Sequence, residues 1–451
     1  MIGFDYGTSN CSVAIITEGR PQIVPLNNQS TIASNLYAPD RDLIAYWLHQ
    51  QLKSQYQSDF KSVRITQLQK SQRALRELAF DGMDTNLVFG QSALNKYLED
   101  PEEGYYIKSP KSFLGASGLA PLQIQFFEDI VAAMMCNVKN LAEEKLGRDI
   151  SQTVIGRPIN FQGLNGEESN QQAIDVLLKA AKRIGFKDVE FQFEPVAAGF
   201  EYEASLEKET RVLVVDIGGG TSDCSMLLMG PKHSKKSNRN QSLLAHSGVR
   251  IAGNDFDIQL ALQGIMPTFG MNSLLKTGKP LPTNSFYQAL AINNINEQTT
   301  FYSAKNRRDL IQLSRDAIDT NIVERLITVH DHKLSYQLVN AAEQAKIALS
   351  DADKQSINLD YISDGLSVDV SKETLRKATK RTLACIADLM QSAINDAQCQ
   401  PEVIFVTGGT AKSPVLQEFL TNQLPNIPVV VGDHFGSVTS GLARWANRIY
   451  Q

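Results

Sequence analysis

The sequence predicts an α/β protein with a duplicated architecture, in which two lobes close on a shared cleft. Two stretches, Ile2–Ser9 and Val214–Asp223, share one pattern: an apolar run delivers an aspartate, and glycine and hydroxyl residues follow. Between them, strand, helix and strand patterns succeed one another up to Phe193, as in α/β units. Because the paired aspartates, Asp5 and Asp216, lie almost half the chain apart, the pattern indicates a repeat of one unit.

Apolar spacing predicts the elements of the first half. Ile2–Ser9 and the apolar run after it predict a β-hairpin, and helical periodicity recurs on one face in three later segments. These helices are predicted at Leu43–Leu52, at Pro121–Leu146 before Gly147, and at Glu167–Ile184, followed by a strand at Val189–Phe193.

The second half repeats the hairpin and then turns helical. A second hairpin is predicted from Arg211, and residues 266–335 form a predicted polar helical insertion rich in Asn and Gln. The remaining predictions are helices at Asn340–Ser350 and Ser371–Ala397, a strand at Val403–Val406, a helix from Pro414, where proline suits the first turn, and a helix at Ser437–Ile449.

Bulk properties exclude several classes of protein. A length of 451 residues suggests roughly two or three domains, and no apolar stretch approaches the ~20 residues of a membrane span. A net charge of -5 argues against broad nucleic-acid binding. Five scattered cysteines suggest neither disulfides nor zinc. The strand-like segment at Met1–Asp5 leaves no room for a signal peptide, so we expect a cytoplasmic location.

The two glycine turns are candidate phosphate sites. Gly7 in the first turn, and Gly218, Gly219 and Gly220 in the second, let the backbone adopt unusual φ values and approach a ligand closely. Consecutive N–H groups can then converge on a phosphate, and the hydroxyls of Thr8, Ser9 and Thr221 can donate to its oxygens. Two such turns facing each other would hold a polyphosphate from both sides.

Four carboxylates are candidates for the chemistry at these turns. Asp5 and Asp216 end apolar strands, where each can order the waters of a Mg²⁺ ion; the alternative is that each only accepts hydrogen bonds from its own turn. Asp223 begins the second strand of its hairpin and is a candidate to orient a water for in-line attack. Glu194, before Pro195, is a second candidate, although such an acid is often only a helix N-terminal residue.

A third glycine segment, Gly408–Pro414, lies between a predicted strand and helix. Its backbone can pass close to a flat or anionic ligand at the helix N-terminus. The spacing matches neither G-x-G-x-x-G nor G-x-x-x-x-G-K-[ST], so neither a Rossmann site nor a P-loop is supported.

Together these motifs resemble the nucleotide-binding domain of the DnaK-type heat-shock chaperones, in the actin, hexokinase and heat-shock ATPase superfamily, and most of all its divergent bacterial YegD-type members. The resemblance rests on five motifs in order: Asp5–Asn10, Glu194–Pro195, Asp216–Asp223, Gly253–Asp257 and Gly408–Pro414. It implies the two-lobed actin-like ATPase fold, a duplicated ribonuclease H-like domain. Lobe I would comprise residues 1–207 and 430–451, and lobe II residues 208–429 with the insertion at 266–335.

The resemblance also implies a ligand, ATP or ADP with Mg²⁺, and a role for each matching residue. The catalytic group would be Asp5, Glu194, Asp216, Thr221 and Asp223, with Asp5 and Asp216 around the metal. The nucleotide would contact Gly7, Thr8, Ser9, Asn10, Gly218, Gly219, Gly220, Gly253, Glu343, Ser350, Gly408, Gly409, Thr410 and Lys412.

Departures from the family pattern predict weak turnover. Leu94 occupies the place of the family's catalytic lysine, and Lys96, Lys108 and Lys111 are all candidates to replace it. A missing cation at a developing phosphate charge costs roughly 10²-fold or more, so slow hydrolysis is expected. Lys412 stands where the family has an arginine near adenine, which predicts lower adenine affinity. The sequence given ends without the family's peptide-binding domain, so client binding is expected to use the insertion at 266–335 or a separate partner, or not to occur.

The sequence therefore favours an ATP-binding, slowly ATP-hydrolysing chaperone-like protein, with client or co-chaperone proteins as unidentified partners. A small-molecule (sugar) kinase is the first alternative, because sugar kinases share both phosphate hairpins, although no motif for a base aspartate is present. An actin-like filament-forming ATPase is the second, and the insertion and the Gly408–Pro414 segment weigh against it.

Overall fold

The computed structural model describes residues 1–161, 166–234, 242–432 and 436–450. It contains two compact units. The first unit comprises Met1–Arg250, Ile386–Ala411 and Gln423–Gln451, and the second comprises Ile251–Cys385 and Lys412–Asn422. The predicted lobe boundaries near residues 207 and 430 stay a prediction.

Strands and helices are numbered separately in chain order. The strands are β1 Ile2–Tyr6, β2 Asn10–Thr17, β3 Arg20–Ile23, β4 Ile32–Ala33, β5 Asn35–Ala38, β6 Val88–Phe89, β7 Tyr105–Lys108, β8 Gln152–Arg157, β9 Asp188–Phe193, β10 Thr210–Ile217, β11 Ser222–Met229, β12 Leu243–Val249, β13 Lys354–Asn358, β14 Ser367–Ser371, β15 Val403–Thr407 and β16 Val429–Val431. The α-helices are α1 Leu43–Gln51, α2 Ser54–Val63, α3 Ile65–Phe80, α4 Gln91–Glu99, α5 Pro121–Leu146, α6 Glu167–Arg183, α7 Glu194–Glu203, α8 Gly253–Leu260, α9 Asn284–Leu290, α10 Ile295–Phe301, α11 Ala304–Asp316, α12 Thr320–Asp331, α13 Ser335–Ala348, α14 Lys372–Ala397, α15 Pro414–Gln423 and α16 Ser437–Ile449. Short 3₁₀ turns lie at Pro110–Phe113, Met266–Phe269 and Gly409–Lys412, and a π-helical turn at Ala261–Ile265.

Two large sheets in the first unit share one topology. The first has the order β3-β2-β1-β8-β9 with β4 beside β2, and the second has the order β12-β11-β10-β15-β16. In each, the leading hairpin is antiparallel, and two further strands add in parallel on its other side. The duplication predicted from the two aspartate motifs is therefore present in the strand order.

Both predicted hairpins form, and their aspartates occupy matching places. Asp5 pairs with Ser12 between β1 and β2, and Asp216 pairs with Asp223 between β10 and β11. Each aspartate lies near the carboxyl end of its strand, where β1 and β10 also run parallel to β8 and β15. Ligands bind preferentially at the carboxyl ends of parallel strands, so the topology places both motifs at a favourable edge.

Glycines let helix α16 approach its neighbours closely in the first unit. A Cβ at Gly3 of β1 would lie 2.2 Å from the backbone nitrogen of Ala443, and one at Gly441 would lie 1.7 Å from the carbonyl oxygen of Ala197 in α7. Helix α16 therefore packs backbone to backbone against β1 and α7. Its own apolar side chains Val438, Leu442 and Ala446 are buried in the adjoining hydrophobic core.

The predicted helices form with small differences at their ends. Helix α5 spans the predicted Pro121–Leu146, and Gly147 ends it with a φ of 64°, a left-handed conformation that glycine adopts without strain. The region predicted as a helical insertion holds α9 to α12 in the second unit. Helix α13 begins at Ser335, earlier than predicted, because Leu338 and Val339 extend its buried face toward the N-terminus. Among the described helices, none has the length and apolar character to cross a membrane.

Candidate functional site

The first turn, residues 7–10, is tightly closed. A Cβ at Gly7 would lie 2.3 Å from the carbonyl oxygen of Asn10, so the turn has no space for a side chain there. Ser34 braces the turn from outside: its backbone N–H donates to the carbonyl of Ser9 at 2.8 Å, and its hydroxyl donates to the carbonyl of Gly7 at 2.7 Å. The backbone of Thr8 and Ser9 is therefore held in one conformation.

The second turn, residues 218–221, is held from both sides. The N–H of Gly218 donates to the carbonyl of Thr221 at 3.0 Å, and the Thr410 hydroxyl donates to the carbonyl of Gly218 at 3.2 Å. Gly408 has a φ of 91°, and a Cβ there would lie 2.8 Å from Oδ1 of Asp216. The third glycine segment thus begins against the end of β10, directly before the second turn.

The two turns face each other within the first unit. A Cβ at Gly219 would lie 1.8 Å from Oγ of Ser9, and a Cβ at Gly220 would lie 2.9 Å from Cγ2 of Thr8. Ser112 belongs to the same place, because its Oγ would lie 3.0 Å from that Gly220 Cβ. Turns separated by about two hundred residues of sequence therefore meet at van der Waals distance.

Lys111 lies among the carboxylates of this site. Its side chain is 3% exposed, Nζ lies 2.5 Å from Oε1 of Glu194, and it also donates to the carbonyl of Gly156 at 3.2 Å. Lys111 is the second residue of the 3₁₀ turn Pro110–Phe113. Ser109, directly before this turn, has a left-handed backbone conformation. Of the three lysines left open by the sequence, Lys111 lies in the site. Lys96 instead pairs with Glu99 on the exposed face of α4.

Burial and mutual repulsion raise the pKa values of the aspartates. Burial, and then the Glu194 carboxylate, raise the pKa of Asp5 to about 7, against the opposing charge of Lys111. Burial, followed by Glu194 and Asp223, raises the pKa of Asp216 well above its usual range. Such clustering of perturbed carboxylates in one place is characteristic of functional sites.

Asp223 is fixed by hydrogen bonds. Its Oδ1 accepts the backbone N–H of Ile159 at 3.0 Å, and the Thr221 hydroxyl donates to it as well. Burial, and then Glu194, raise its pKa to about 7, and these two hydrogen bonds oppose the rise. Asp223 is therefore oriented by groups from both the second turn and the end of β8.

These residues fit a hydrated Mg²⁺ ion with a polyphosphate. The four carboxylates Asp5, Glu194, Asp216 and Asp223 face one buried lysine, so a cation would relieve their repulsion. Within the described residues, no group of three or more His, Cys, Asp or Glu side chains is arranged to hold a metal directly. Magnesium commonly keeps several waters and binds through phosphates, which suits this arrangement. The Ser112 hydroxyl, buried beside the turns without a hydrogen-bond partner, is a further donor for an anion.

The remaining predicted nucleotide contacts lie in the second unit, apart from Gly409 and Thr410, which belong to the first. Gly253 begins α8, Glu343 lies on α13, and Ser350 follows that helix, its N–H donating to the carbonyl of Ile347 at 3.0 Å. Lys346, on α13, joins the two helices, because its Nζ lies 2.7 Å from Oδ1 of Asp257 and donates to the carbonyl of Gly253 at 3.3 Å. Lys412 ends the 3₁₀ turn Gly409–Lys412.

Sequence reasoning left one functional residue undecided and missed another. Lys111 could not be chosen among three lysines, because its place depends on a turn conformation set by Ser109 and Pro110. Ser112 gave no signal, since a single serine in a polar segment carries no pattern. Its value became visible only where the chain brings it beside Thr8 and Gly220.

Comparison with known proteins agrees with this geometry. The sequence profile described as Hsp70 protein matches residues 122–263 and 319–429, more than half of the chain. The chain belongs to the Hsp70 family. The two-lobed actin-like ATPase fold predicted from the five motifs is thereby confirmed.

Individual relatives of this Hsp70-family chain are distant. It is 23% identical over 444 residues to the chaperone protein dnaK of Emiliania huxleyi, 23% over 438 residues to that of Carsonella ruddii (strain PV), and 24% over 442 residues to that of Trieres chinensis. These matches cover 94 to 95% of the chain and 56 to 58% of each relative. The chain thus spans less than two thirds of the length of the curated relatives it matches.

Proposed function

We propose that this Hsp70-family chain binds ATP with Mg²⁺ and hydrolyses it slowly, as a chaperone-like protein whose partners are client or co-chaperone proteins. The observation that carries the proposal is the meeting of Gly219 with Ser9 and of Gly220 with Thr8, which sets two phosphate-type turns against each other. Leu94, at the family's lysine position, supports placing the chain among the divergent YegD-type members.

Each side chain of the site has a defined task in this proposal. Backbone N–H groups of Thr8, Ser9 and Gly219 would bind phosphate oxygens, and Asp5 and Asp216 would order the waters of the cation. When bound, Mg²⁺ would neutralise developing charge on the phosphates. Asp223 and Glu194 would orient the attacking water.

Lys111 would supply the cation that the family places elsewhere in its sequence. Its ion pair with Glu194 holds Nζ in the site, and it adds a positive charge beside Asp5, Asp216 and Asp223. The pair also divides the ammonium charge with a carboxylate. An ammonium shared in this way stabilises a phosphate less than a free one, which supports slow turnover.

Calorimetry with Mg·ATP tests the binding proposal. We expect the wild type to bind, and Asp216→Asn to bind more weakly, because the carboxylate that orders the cation's waters is lost. Asp149→Asn is the matched control, since Asp149 pairs with Lys53 at the surface, with 81% of its side chain exposed. Failure of the wild type to bind Mg·ATP would end the proposal.

Two further measurements separate the parts of the proposed function. Single-turnover hydrolysis of labelled ATP, with and without added sugars, distinguishes a slow ATPase from a sugar kinase. Suppression of the aggregation of a chemically unfolded test protein, with and without ATP, tests the chaperone-like part. Transfer of label to a sugar would favour the kinase instead.

A further inference from the structure

Arg157 lies over two aromatic rings at the edge of the candidate site. It is the last residue of β8 and pairs in register with Phe193, the last residue of β9. Its guanidinium carbon lies 4.7 Å from the ring centroid of Phe193 and 5.8 Å from that of Phe161. Both distances fall within the roughly 6 Å over which a cation is attracted to an aromatic face. We name Phe161, Arg157 and Phe193 the aromatic clamp.

The guanidinium also fixes the backbone that follows it. Nε donates to the carbonyl of Pro158 and Nη2 to the carbonyl of Ile159, each at 3.2 Å. The N–H of the same Ile159 donates to Oδ1 of Asp223 at 3.0 Å. Both backbone groups of Ile159 are therefore engaged, one by Arg157 and the other by a carboxylate of the candidate site.

Residues adjacent to the clamp in the chain also contact Glu194 and Lys111. Phe193 directly precedes Glu194, the first residue of α7. A shift of Phe193 would therefore also shift the backbone that carries the Glu194 carboxylate. Gly156, directly before Arg157, accepts the hydrogen bond from Lys111, and a Cβ there would lie 3.4 Å from Oε1 of Glu194. Three backbone positions around the guanidinium thus contact Asp223, Glu194 and Lys111.

Burial and charge agree with this geometry. Burial lowers the pKa of Arg157, and the carboxylates of Glu167, Glu194 and Asp223 counteract that fall. A planar guanidinium offers several donors in fixed directions and stacks on rings, whereas an ammonium does neither. The clamp therefore uses properties specific to arginine.

We infer that Arg157 is a positioning residue for the proposed hydrolysis: the aromatic clamp holds Ile159 and Phe193 so that Asp223 and Glu194 address the same water. This inference rests on the proposed function of the site. It assigns Arg157 no contact with the nucleotide. Misplacement of a catalytic group by about 1 Å can cost on the order of 10²-fold in rate, so loss of the clamp should slow hydrolysis without weakening binding.

The test uses Arg157→Ala with chemical rescue in the full chain. We expect the Ile159 amide to exchange its hydrogen at least about tenfold faster, and single-turnover hydrolysis to fall roughly tenfold or more, with the Mg·ATP affinity changed by less than about twofold. Methylguanidinium should restore both properties by refilling the space that the guanidinium leaves beside Phe161 and Phe193, whereas methylammonium should not. Arg73→Ala is the control, because the Arg73 side chain is 83% exposed and forms its ion pair with Glu77 of its own helix.

The outcomes separate this inference from the proposed function. Unchanged Ile159 exchange in Arg157→Ala, or faster exchange with unchanged hydrolysis, would overturn the positioning role. If the wild type binds no Mg·ATP, the proposed function fails, and the exchange result still decides whether the clamp holds Ile159. Should Arg157→Ala not fold, Arg157→Lys keeps the stem and the charge and is expected to show the same faster exchange, because it lacks the planar fork.

Discussion

Nζ of Lys111 lies 2.5 Å from Oε1 of Glu194, although 83 residues separate them in the chain. Only 3% of the lysine side chain and 14% of the glutamate side chain are exposed. Removing both groups from water is costly, and their attraction offsets this cost only where the geometry is good. The pair therefore gives the site a cation whose position does not depend on Leu94.

Lys111→Met should damage both stability and turnover. The substitution leaves the Glu194 carboxylate nearly buried without its cation, so we expect the free energy of unfolding to fall by roughly 2–4 kcal/mol. Hydrolysis should fall by about 10²-fold, because a charge near the transferred phosphate is lost. Urea unfolding and single-turnover hydrolysis measure the two effects.

Two variants show whether these effects belong to the site. Lys96→Met removes an exposed lysine paired with Glu99 on its own helix, and it should change stability by less than about 0.5 kcal/mol. The double variant Lys111→Met with Glu194→Gln should recover part of the lost stability, since Glu194 no longer carries a charge that has lost its cation, but none of the hydrolysis. Normal turnover in Lys111→Met would show that Lys111 is only structural.

Local patterns accounted for the hairpins and for the long helices. An apolar run ending in Asp, Gly and hydroxyl residues closes a turn within a few residues, so β1–β2 and β10–β11 could be predicted. Pro121 and Gly147 mark both ends of α5. Strands β5 and β7 could not be predicted, because each is short and polar in part and is defined by pairing across about seventy residues, as between Asn35 and Lys108. The β13–β14 hairpin was also missed: Val368 and Val370 alternate with polar residues in β14, but Ile357 is the one apolar residue of β13.

Part of the candidate site was predictable, because some of its residues have a recognisable position in the sequence. Asp5, Asp216 and the turn glycines can be recognised because they come at the end of an apolar strand. Lys111 and Arg157 do not, because each gains its place from distant partners: Lys111 from Glu194, and Arg157 from Phe193 across β8 and β9. Their contribution is tertiary, so only coordinates reveal it.

Gly219→Ala tests whether the two turns must touch. The added Cβ would lie 1.8 Å from Oγ and 3.0 Å from Cβ of Ser9, so the Ser9 hydroxyl must turn away from its present position and the two turns must move apart slightly. We expect the Mg·ATP affinity to fall by at least about tenfold, since N–H groups on both turns would no longer reach one polyphosphate. Calorimetry measures the affinity.

A second substitution makes this test specific. Ser9→Ala in the Gly219→Ala background removes the hydroxyl at 1.8 Å and leaves only the milder contact at 3.0 Å. Part of the affinity should return, although Ser9→Ala alone removes a candidate phosphate donor and should weaken binding. A non-additive cycle of this kind measures direct coupling between the two positions. Additive losses would mean that the turns act independently.

Asp223→Asn should remove part of the pH dependence of folding in the protein without nucleotide. The folded pKa of Asp223 is about 7, above the ordinary 3.8. Between about pH 4 and about pH 7, the folded state keeps a proton on Asp223 that the unfolded chain has released. Stability from this group is therefore complete below about pH 4 and is lost as the pH rises through about 7. Asparagine cannot ionise, and its side-chain oxygen can still accept the N–H of Ile159.

We therefore expect the stability difference between Asp223→Asn and the wild type, in free energy of unfolding, to grow in favour of the variant by roughly 2–3 kcal/mol from about pH 5 to about pH 8. Urea unfolding in the presence of a chelator measures this difference. Asp149→Asn is the control, because the hydrogen bond from Lys53 lowers the pKa of the exposed Asp149 carboxyl. Asp149 is then ionised in both states between about pH 5 and about pH 8, so this substitution should leave the slope of the profile unchanged in that range. Parallel pH profiles for the wild type and Asp223→Asn would mean that Asp223 is already ionised well below neutral pH. The buried repulsion that a bound cation would relieve at this position would then be absent.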